Sequence, residues 1–467
     1  ARKKTFAALL FLFESKLIPA HTTICGYARS KWSQEEFVAY LRKHLKADSP
    51  ALDAFLANCT YCAGNYDSED DFTRLDAILK PLEAQREGPV ADRVFYYAIP
   101  PFAFEGAANA IGKAAQSETG YNRMVIEKPF GHDSDTYAVL ATALSRVFRE
   151  DQMYRIDHYL GKEMVQNLMA LRFANAIFEP IWNRDSIASV QITFKEDIGT
   201  DGRGGYFDKY GIIRDVMQNH LLQILALVAM EPPVSDSANH IRDEKVKVLH
   251  SMPPLSRDNI VIGQYGKSED GSLPGYLDDE TVPKGSTAAT FATLVTFINN
   301  RRWHGVPFIL KCGKALNERK AEIRIQFREV PGRLFSGAAR NELVMRVQPN
   351  EAVYLKITAK VPGLTMDVAP TELDLSYKHR YKDQRLPDAY ERLIWDVTRG
   401  DHSLFVRHDE VAAAWHLFTP LLHWMEQDKP VPLIYARGTR GPSESDELIG
   451  KYYVRDDKYS WTPHDCD

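Results

Sequence analysis

The 467-residue sequence has few cysteines, no long run of charge of one sign and no long apolar run. Its five cysteines are odd in number and scattered, which suits a reducing compartment better than a disulfide-stabilised secreted protein. Cys59 and Cys62 have redox or zinc-site spacing, but no second cysteine pair or histidine pair accompanies them. We therefore interpret that spacing as incidental and predict no metal site.

No apolar stretch reaches the roughly 20 residues that a membrane span needs, and the longest candidate, 221–230, ends at Glu231. The 58 lysines and arginines against 63 aspartates and glutamates give a formal net charge of −5, without a clustered basic face. We expect no nucleic-acid or membrane partner. The N-terminal stretch 1–13 predicts an amphipathic helix, and a signal peptide is the less favoured alternative.

The length and the globular composition, with 44% hydrophobic and 26% charged residues, predict two or three domains. In 1–155, short apolar strands at 22–27, 93–98 and 123–127 alternate with helical segments. This alternation predicts an α/β domain with a Rossmann-like, doubly wound parallel sheet.

The pattern changes in 156–467. Helices are predicted at 162–178 and 213–230, and strands dominate from residue 287 onward. We expect a larger α+β domain with a mainly antiparallel sheet.

A basic cluster lies at the start of the helix predicted from residue 162, where His158, Tyr159 and Lys162 occur together. Cations there oppose the helix dipole unless an anion is bound, and a helix N-terminus favours phosphate. The cluster therefore predicts a phosphate site, and a solvated helix start is the alternative.

Lys128 follows the strand 123–127 and precedes Pro129, which keeps it extended at the carboxyl end of the sheet. Ligands of open α/β sheets bind at that edge. An ordinary surface lysine is the alternative.

Glu196 continues the apolar phase of Val190, Ile192 and Phe194. A carboxylate in that position needs a polar ligand or a cationic partner, unless a turn rotates it into solvent.

His220 lies in an apolar helical segment, five residues after Asp215. A satisfied core histidine is the ordinary interpretation, and a general base held near a carboxylate is the sharper one. In an α-helix five residues correspond to about 140°, which separates the two side chains onto different stripes.

Arg29 follows the first predicted strand, and no acidic residue stands beside it. In a dinucleotide-binding sheet an acid at this position binds a ribose 2′-hydroxyl, whereas an arginine binds a 2′-phosphate. The position therefore predicts NADP.

Together these motifs resemble the glucose-6-phosphate dehydrogenase family, eukaryotic type, along almost the whole chain. The segments that carry the resemblance are Glu127–Gly131, Arg155–Glu163, Gly202–Phe207, Asp215–His220, Gly313–Lys320, Gln348–Glu351, Leu386–Glu391 and Arg440–Pro442. The family's Gly-rich phosphate-binding segment is expected directly before Arg2, and only Ala1 remains of it. We interpret this as a trimmed or disordered N-terminus, because a chain made from Ala1 should bind NADP poorly.

The resemblance implies that glucose 6-phosphate is oxidised to 6-phosphoglucono-1,5-lactone with hydride transfer to NADP, the first step of the oxidative pentose phosphate pathway. It implies His220 as the general base, oriented by Asp157. The implied substrate-binding residues are Lys128, His158, Tyr159, Lys162, Glu196, Asp215, Lys314, Arg319 and Gln348. The implied cofactor-binding residues are Arg29, Tyr97, Pro100, Pro101 and Lys128.

A second, structural NADP is also implied by the resemblance, at Lys320, Arg324, Arg346, Tyr354, Lys356, Asp374, Arg440 and Trp461. An exposed basic strand face is the alternative for Lys320 and Arg324. We expect a cytoplasmic homodimer or homotetramer that associates through the sheet of the larger domain. The competing functions are another sugar dehydrogenase of the Glu-Lys-Pro type and a catalytically silent sugar-phosphate sensor.

Overall fold

The computed structural model describes residues 4–45, 48–85, 88, 90–332, 334–335 and 338–455. The chain divides into two compact units. The first contains Ala1–Gly161, Ser235–Arg242 and Pro387–Ala412, and the second contains Lys162–Val234, Asp243–Leu386 and Ala413–Asp467. The division into a cofactor domain at 1–155 and a substrate and assembly domain at 156–467 stays a prediction.

Short strands and helices alternate along the first part of the chain. In order they are α1 (Thr5–Glu14), β1 (Ile24–Ala28), α2 (Gln34–His44), α3 (Leu52–Ala57), β2 (Cys59–Ala63), α4 (Glu69–Ala84), β3 (Arg93–Tyr97), α5 (Phe104–Ala114), β4 (Asn122–Glu127), α6 (Ser134–Ser145) and β5 (Met153–Ile156). Helix α2 begins where the sequence predicts, because the Ser33 side chain accepts from the Glu36 N–H and the Glu36 side chain accepts from the Ser33 N–H.

The strands of the first unit are all parallel. Strand β1 pairs with β2, and β3, β4 and β5 form a second sheet in that order. One apolar cluster contains residues from both sheets, among them Cys62, Tyr97 and Met124. Parallel strands covered by helices are the doubly wound arrangement that the sequence predicts.

The rest of the chain is richer in strands. It contains α7 (Glu163–Phe173), β6 (Ile187–Lys195), α8 (Gly204–Phe207), a π-helix (Ile213–Leu221), α9 (Leu222–Ala229), α10 (Ala238–His250), β7 (Ile260–Ser268), β8 (Phe291–Thr296), β9 (Phe308–Gly313), β10 (Lys320–Phe327), β11 (Glu342–Gln348), β12 (Ala352–Lys360), β13 (Val368–Ser376), α11 (Tyr377–Arg380), α12 (Ala389–Arg399), α13 (His408–Asp428), β14 (Leu433–Arg437) and α14 (Ser443–Gly450).

A nine-stranded sheet dominates the second unit, in the order β13-β12-β11-β10-β6-β9-β8-β7-β14. Its pairs are antiparallel except for β6 with β9 and β7 with β14. The predicted fold class, a Rossmann-like nucleotide domain plus a larger α+β domain with a mainly antiparallel sheet, is confirmed.

Two helix predictions need correction. The helix predicted at 162–178 ends at Phe173, because the Asn175 side-chain amide donates to the carbonyls of Ala170 and Leu171 and closes the last turn. The helix predicted at 213–230 is not uniformly α-helical, since its first part, Ile213–Leu221, is a π-helix.

Cys59 and Cys62 lie on the same strand but pack into different apolar clusters. An offset of three residues on a strand points side chains to opposite faces, so the two thiols do not converge. Among the described residues, no helix is both long enough and apolar enough to cross a bilayer.

Candidate functional site

In the first unit the predicted ligand-binding residues follow the carboxyl ends of parallel strands. Tyr97 ends β3, Lys128 follows β4, and Asp157 follows β5. Residues at this edge of a doubly wound sheet face the ligand crevice. The topology therefore gathers them as the sequence predicts.

The end of β4 is supported by two tyrosines. Glu127 accepts hydrogen bonds from the hydroxyls of Tyr96 (2.6 Å) and Tyr390 (3.3 Å). Burial, followed by the negative charge of Glu127, raises the pKa of both phenols, so they remain hydrogen-bond donors at neutral pH. The carboxylate next to Lys128 is thereby held in place.

The segment after β5 is compact. Asp157 and Tyr159 are buried, and the Tyr159 N–H donates to the Asp157 carboxylate (3.0 Å). The imidazole of His158 stacks on the ring of Tyr390, with centroids 6.1 Å apart and planes 15° apart. Tyr390 comes from a segment more than 200 residues later in the chain, so no local signal could identify it.

Lys162 is the N-cap residue of α7, with extended backbone and no side-chain capping hydrogen bond. This placement agrees with the predicted helix start, where the first N–H groups of a helix can bind an anion.

The early strands fit an NADP molecule that carries a 2′-phosphate. Exposed Arg29 follows β1, and its guanidinium lies 5.4 Å from the ring centroid of Tyr66. The Tyr97 hydroxyl is buried and has no hydrogen-bond partner among the described residues. Pro100 and Pro101 follow β3 at the start of a short 3₁₀ turn. The exposed cation of Arg29 and the unsatisfied hydroxyl of Tyr97 are both compatible with a bound dinucleotide.

In the second unit the predicted sugar-binding residues meet at one end of the large sheet. Glu196 follows β6, Lys314 follows β9, Arg319 precedes β10, and Gln348 ends β11. Because β10 runs antiparallel to β6 and β11, and β6 runs parallel to β9, these four positions lie at the same sheet end. Residues far apart in sequence are thus brought together.

The cationic partner that Glu196 needs is Lys314. Main-chain hydrogen bonds from the Glu196 N–H to Gly313 O (2.9 Å) and from the Leu316 N–H to Glu196 O (2.8 Å) hold the two loops together. Lys314 Nζ then lies 2.5 Å from the Glu196 carboxylate and 3.3 Å from that of Asp215. Burial alone would lower the pKa of Lys314, but the carboxylates of Asp215 and Glu196 raise it above its ordinary value. Lys314 therefore stays charged between two acids.

The π-helix corrects the expected relation between Asp215 and His220. Its turns link residues five apart, as in the hydrogen bond from the Leu222 N–H to Met217 O. Asp215 and His220 are also five residues apart, so in this π-helix they share a face instead of differing by the ~140° of an α-helix. Asp215 is partly exposed and His220 is buried. π-Helical turns often occur at functional sites.

The residues predicted for a second nucleotide form a charged cluster on β10, β11 and β12. Arg324, Lys320 and Arg346 lie 2.5, 3.6 and 3.5 Å from Glu322. Glu322 is only 2% exposed. Burial alone would raise its pKa, but Arg324, Lys320 and Arg346 hold that pKa below its ordinary value.

A second carboxylate, Glu342, continues this cluster. It lies 2.9 Å from Arg324 and 3.5 Å from Lys356, so the cations outnumber the acids. The alternative of an exposed basic face is wrong, because the side chains of Lys320 and Arg324 are only 17% and 20% exposed. Tyr354 is buried and pairs with Asp374 across β12 and β13.

One further member of the predicted second-nucleotide set, Arg440, has a different partner among the described residues. Arg440 pairs with Asp446 at 3.5 Å. Trp461 lies outside the described residues. Sequence reasoning missed Glu322 and Glu342, although acids that alternate with apolar residues on a strand signal a buried charged face.

Two consecutive parts of the chain match the two domains of one known family. Residues 1–167 match the family described as glucose-6-phosphate dehydrogenase, NAD binding domain, and residues 169–462 match that described as glucose-6-phosphate dehydrogenase, C-terminal domain. The chain belongs to the glucose-6-phosphate dehydrogenase family. It is 52% identical to the glucose-6-phosphate 1-dehydrogenase of Dictyostelium discoideum over 99% of this chain and 94% of that protein. The Takifugu rubripes enzyme is also 52% identical, over 99% of this chain and 89% of that protein.

Solved structures of glucose-6-phosphate dehydrogenases are similar throughout. One, described as glucose-6-phosphate dehydrogenase in complex with its substrate glucose-6-phosphate, is 48% identical with a TM-score of 0.94 and covers 97% of this chain and 96% of that one. The glucose-6-phosphate 1-dehydrogenase of Mycobacterium avium is 33% identical with a TM-score of 0.85 and covers 99% of this chain and 96% of that one. The sequence-based assignment to this family is confirmed.

Proposed function

We propose that the protein oxidises glucose 6-phosphate to 6-phosphoglucono-1,5-lactone and reduces NADP, the first step of the oxidative pentose phosphate pathway. The observation that carries the proposal is family membership along the whole chain. The charged group formed by Glu196, Lys314 and Asp215 at one end of the large sheet supports it. Carboxylates and an ammonium are suited to binding sugar hydroxyls.

His220 is the proposed general base. An imidazole is the side chain best suited to take up and release a proton near neutral pH, and His220 lies on the π-helix that also carries Asp215. His220 would accept the proton of the C1 hydroxyl, and bound NADP would supply the hydride acceptor for C1. Asp157 is the proposed orienting carboxylate.

Substrate binding is divided among the remaining residues. His158, Tyr159 and Lys162 bind the 6-phosphate, and the start of α7 favours an anion beside Lys162. The sugar hydroxyls are bound by Glu196, Asp215, Lys314, Arg319, Gln348 and Lys128, of which Lys128 also contacts the cofactor. Arg29, Tyr97, Pro100 and Pro101 complete the cofactor site.

Substitution of the base tests this function. His220→Asn should lower kcat by at least about 10²–10⁴-fold, the usual contribution of a placed base, with little change in the Kd of glucose 6-phosphate. His416→Asn, at an exposed position of α13, is the matched control and should retain full activity. An unaltered kcat in His220→Asn would contradict the assignment. Ligand binding without NADPH formation by the wild type would favour a sensor, and faster oxidation of free glucose would favour another sugar dehydrogenase.

The charged cluster of β10–β12 is proposed to bind a second, structural NADP. Four cations, Lys320, Arg324, Arg346 and Lys356, contact three carboxylates, those of Glu318, Glu322 and Glu342, and a phosphate group would balance the excess positive charge. Tyr354, Asp374, Arg440 and Trp461 are the further proposed ligands.

We also propose a cytoplasmic homodimer or homotetramer that associates through the large sheet. Leu373, on edge strand β13, and the neighbouring Leu364 and Met366 are apolar side chains that lie exposed, which suits contact with a second copy. The free thiols Cys25, Cys59, Cys62 and Cys312 suit a reducing compartment. Leu373→Glu should lower the mass measured by light scattering, and cell fractionation tests the location.

A further inference from the structure

The helix that carries His220 ends on a buried arginine. Arg172, on α7, is 3% exposed and donates from Nη1 to Leu227 O (2.6 Å) and from Nη2 to Met230 O (2.7 Å). Both acceptors are carbonyls at the end of α9, where a helix leaves its last carbonyls without internal partners. The negative end of the helix dipole therefore faces a buried cation.

Two tryptophans complete this end of α9. Trp182 Nε1 donates to Val228 O and Trp303 Nε1 donates to Ala229 O, both at 2.8 Å. Both rings are buried. Four consecutive carbonyls, those of residues 227–230, thus each accept a hydrogen bond from a side chain on another element. We call Arg172, Trp182 and Trp303 the α9 cap.

A second arginine fixes the α9 cap in place. Arg302 donates to the carboxylate of Glu231 (2.9 Å), to that of Glu179 (2.9 Å) and to Trp182 O (2.8 Å). The guanidinium of Arg172 lies 5.2 Å from the Trp182 ring centroid. The Arg302 side chain therefore holds both Glu231, which follows α9, and Trp182 of the α9 cap.

This cap lies at the far end of a helix whose first part is π-helical. The π-helix Ile213–Leu221 continues directly into α9. If it relaxed to α-helical winding, Asp215 and His220 would separate by about 140°, and α9 would have to turn about its own axis. Four directional hydrogen bonds at the end of α9 oppose that turn.

We infer that Arg172 is a positioning residue for the reaction, because it holds the end of α9 and so keeps the winding that directs His220. The inference rests on the proposed role of His220 as base. Of the charged sugar-binding groups Glu196, Lys314 and Asp215, only Asp215 lies on this helix, whereas Lys314 and Glu196 lie on strand ends, so most of the sugar contacts do not depend on the α9 cap. The inference therefore predicts a loss in kcat that is larger than any change in KM for glucose 6-phosphate.

Steady-state kinetics of Arg172→Leu and Arg172→Lys, measured well below the unfolding temperature, test the inference. Arg172→Leu should lower kcat by about 10- to 100-fold, as expected for a misplaced catalytic group, and change KM less than about threefold. Arg172→Lys replaces the two donor nitrogens with a single ammonium nitrogen and should have a kcat between those of Arg172→Leu and the wild type. Trp303→Phe removes one N–H but keeps a ring, so its kcat loss should be smaller and in the same direction.

The matched control is Arg437→Leu, which removes a partly buried arginine of the same unit that bonds Asp201 and Pro274 O. It should lower Tm and leave kcat unchanged. If Arg172→Leu behaves in the same way, Arg172 is only structural and the inference is wrong. If Arg172→Leu does not fold, unchanged kcat in both Arg172→Lys and Trp303→Phe overturns the inference. An active His220→Asn would instead overturn the assignment of the base.

Discussion

Removal of the Lys314 ammonium should destabilise the protein more at high pH than at low pH. In the wild type the carboxylates of Glu196 and Asp215 both lie within 3.3 Å of the Lys314 Nζ. Lys314→Met keeps the length of the side chain but leaves these two carboxylates facing one another without a cation. The two carboxylates then repel one another in the folded variant wherever both are ionised. Because this repulsion grows as the pH rises and both acids lose their protons, the variant loses more stability at high pH than at low pH.

The expected magnitude follows from distance and exposure. Opposite charges about 3 Å apart attract by roughly 5 kcal/mol at an effective dielectric constant of 20. Lys314 is 13% exposed, whereas Glu196 and Asp215 are 28% and 34% exposed, so solvent screens much of this interaction. We expect a loss of about 2 kcal/mol near pH 8, or roughly 4 °C in Tm, and about half of that near pH 5.

Thermal unfolding near pH 5 and pH 8 measures this difference. The matched control is Lys195→Met, since Lys195 is 9% exposed and contacts a single carboxylate, that of Glu318, at 2.9 Å. That variant should show the same Tm change at both pH values. An equal loss at both pH values in Lys314→Met would refute the reasoning. If Lys314 also binds a sugar hydroxyl, kcat/KM should fall by about 10- to 150-fold.

Three further predictions concern other parts of the protein. Burial lowers the pKa of His402 to about 4, below the ~6.5 of an unfolded chain, so stability present above pH ~6.5 is lost as the pH falls towards 4. His402→Phe should reduce the loss of unfolding free energy between pH ~6.5 and pH 4 by up to about 3 kcal/mol. Denaturant titrations that show the same loss over this pH range in the variant and the wild type would contradict this. Arg29→Glu should lower the ratio of kcat/KM for NADP to that for NAD by at least about 10-fold; an unchanged ratio would mean that Arg29 does not bind the 2′-phosphate. NADP at ~100 times the Kd of the proposed second site should stabilise the wild type by about 2.7 kcal/mol in addition to the stabilisation from the catalytic site. Arg324→Met should lose this additional stabilisation while its kcat stays unchanged; an undiminished thermal shift would exclude the proposed second site.

Local signals predicted three strands of the first unit, whereas strands β2 and β5 were missed. The capping box at Ser33 and the apolar strands 93–98 and 123–127 are short-range features, and the corresponding elements lie within two residues of their predicted bounds. The assignment of Ser235–Arg242 and Pro387–Ala412 to the same unit depends on long-range packing. No periodicity in those segments could indicate it.

The large sheet was predicted in class but not in detail. Strand β9 was missed, although it is buried at every position. Its six residues lack alternation, and a short continuous apolar run does not distinguish a strand from a buried helix. Strand β9 places Lys314 beside Glu196. The sequence could therefore predict that Glu196 needs a cationic partner, but its strand pattern could not show which residue that partner is.

The π-helix had no usable sequence signal. Apolar periodicity predicts a helix over Ile213–Ala229, but it does not distinguish a turn closed over four residues from one closed over five. That difference decides whether Asp215 and His220 share a face. The same is true of Arg172, whose partners lie more than 50 residues later.

The central claim is most directly tested by NADPH formation, followed by its near-ultraviolet absorbance, in the purified protein. With glucose 6-phosphate and NADP, the wild type should form NADPH, and His220→Asn should form it at least about 10²-fold more slowly. Free glucose should be a much poorer substrate. No NADPH from the wild type, or equal rates for glucose and glucose 6-phosphate, would contradict the account.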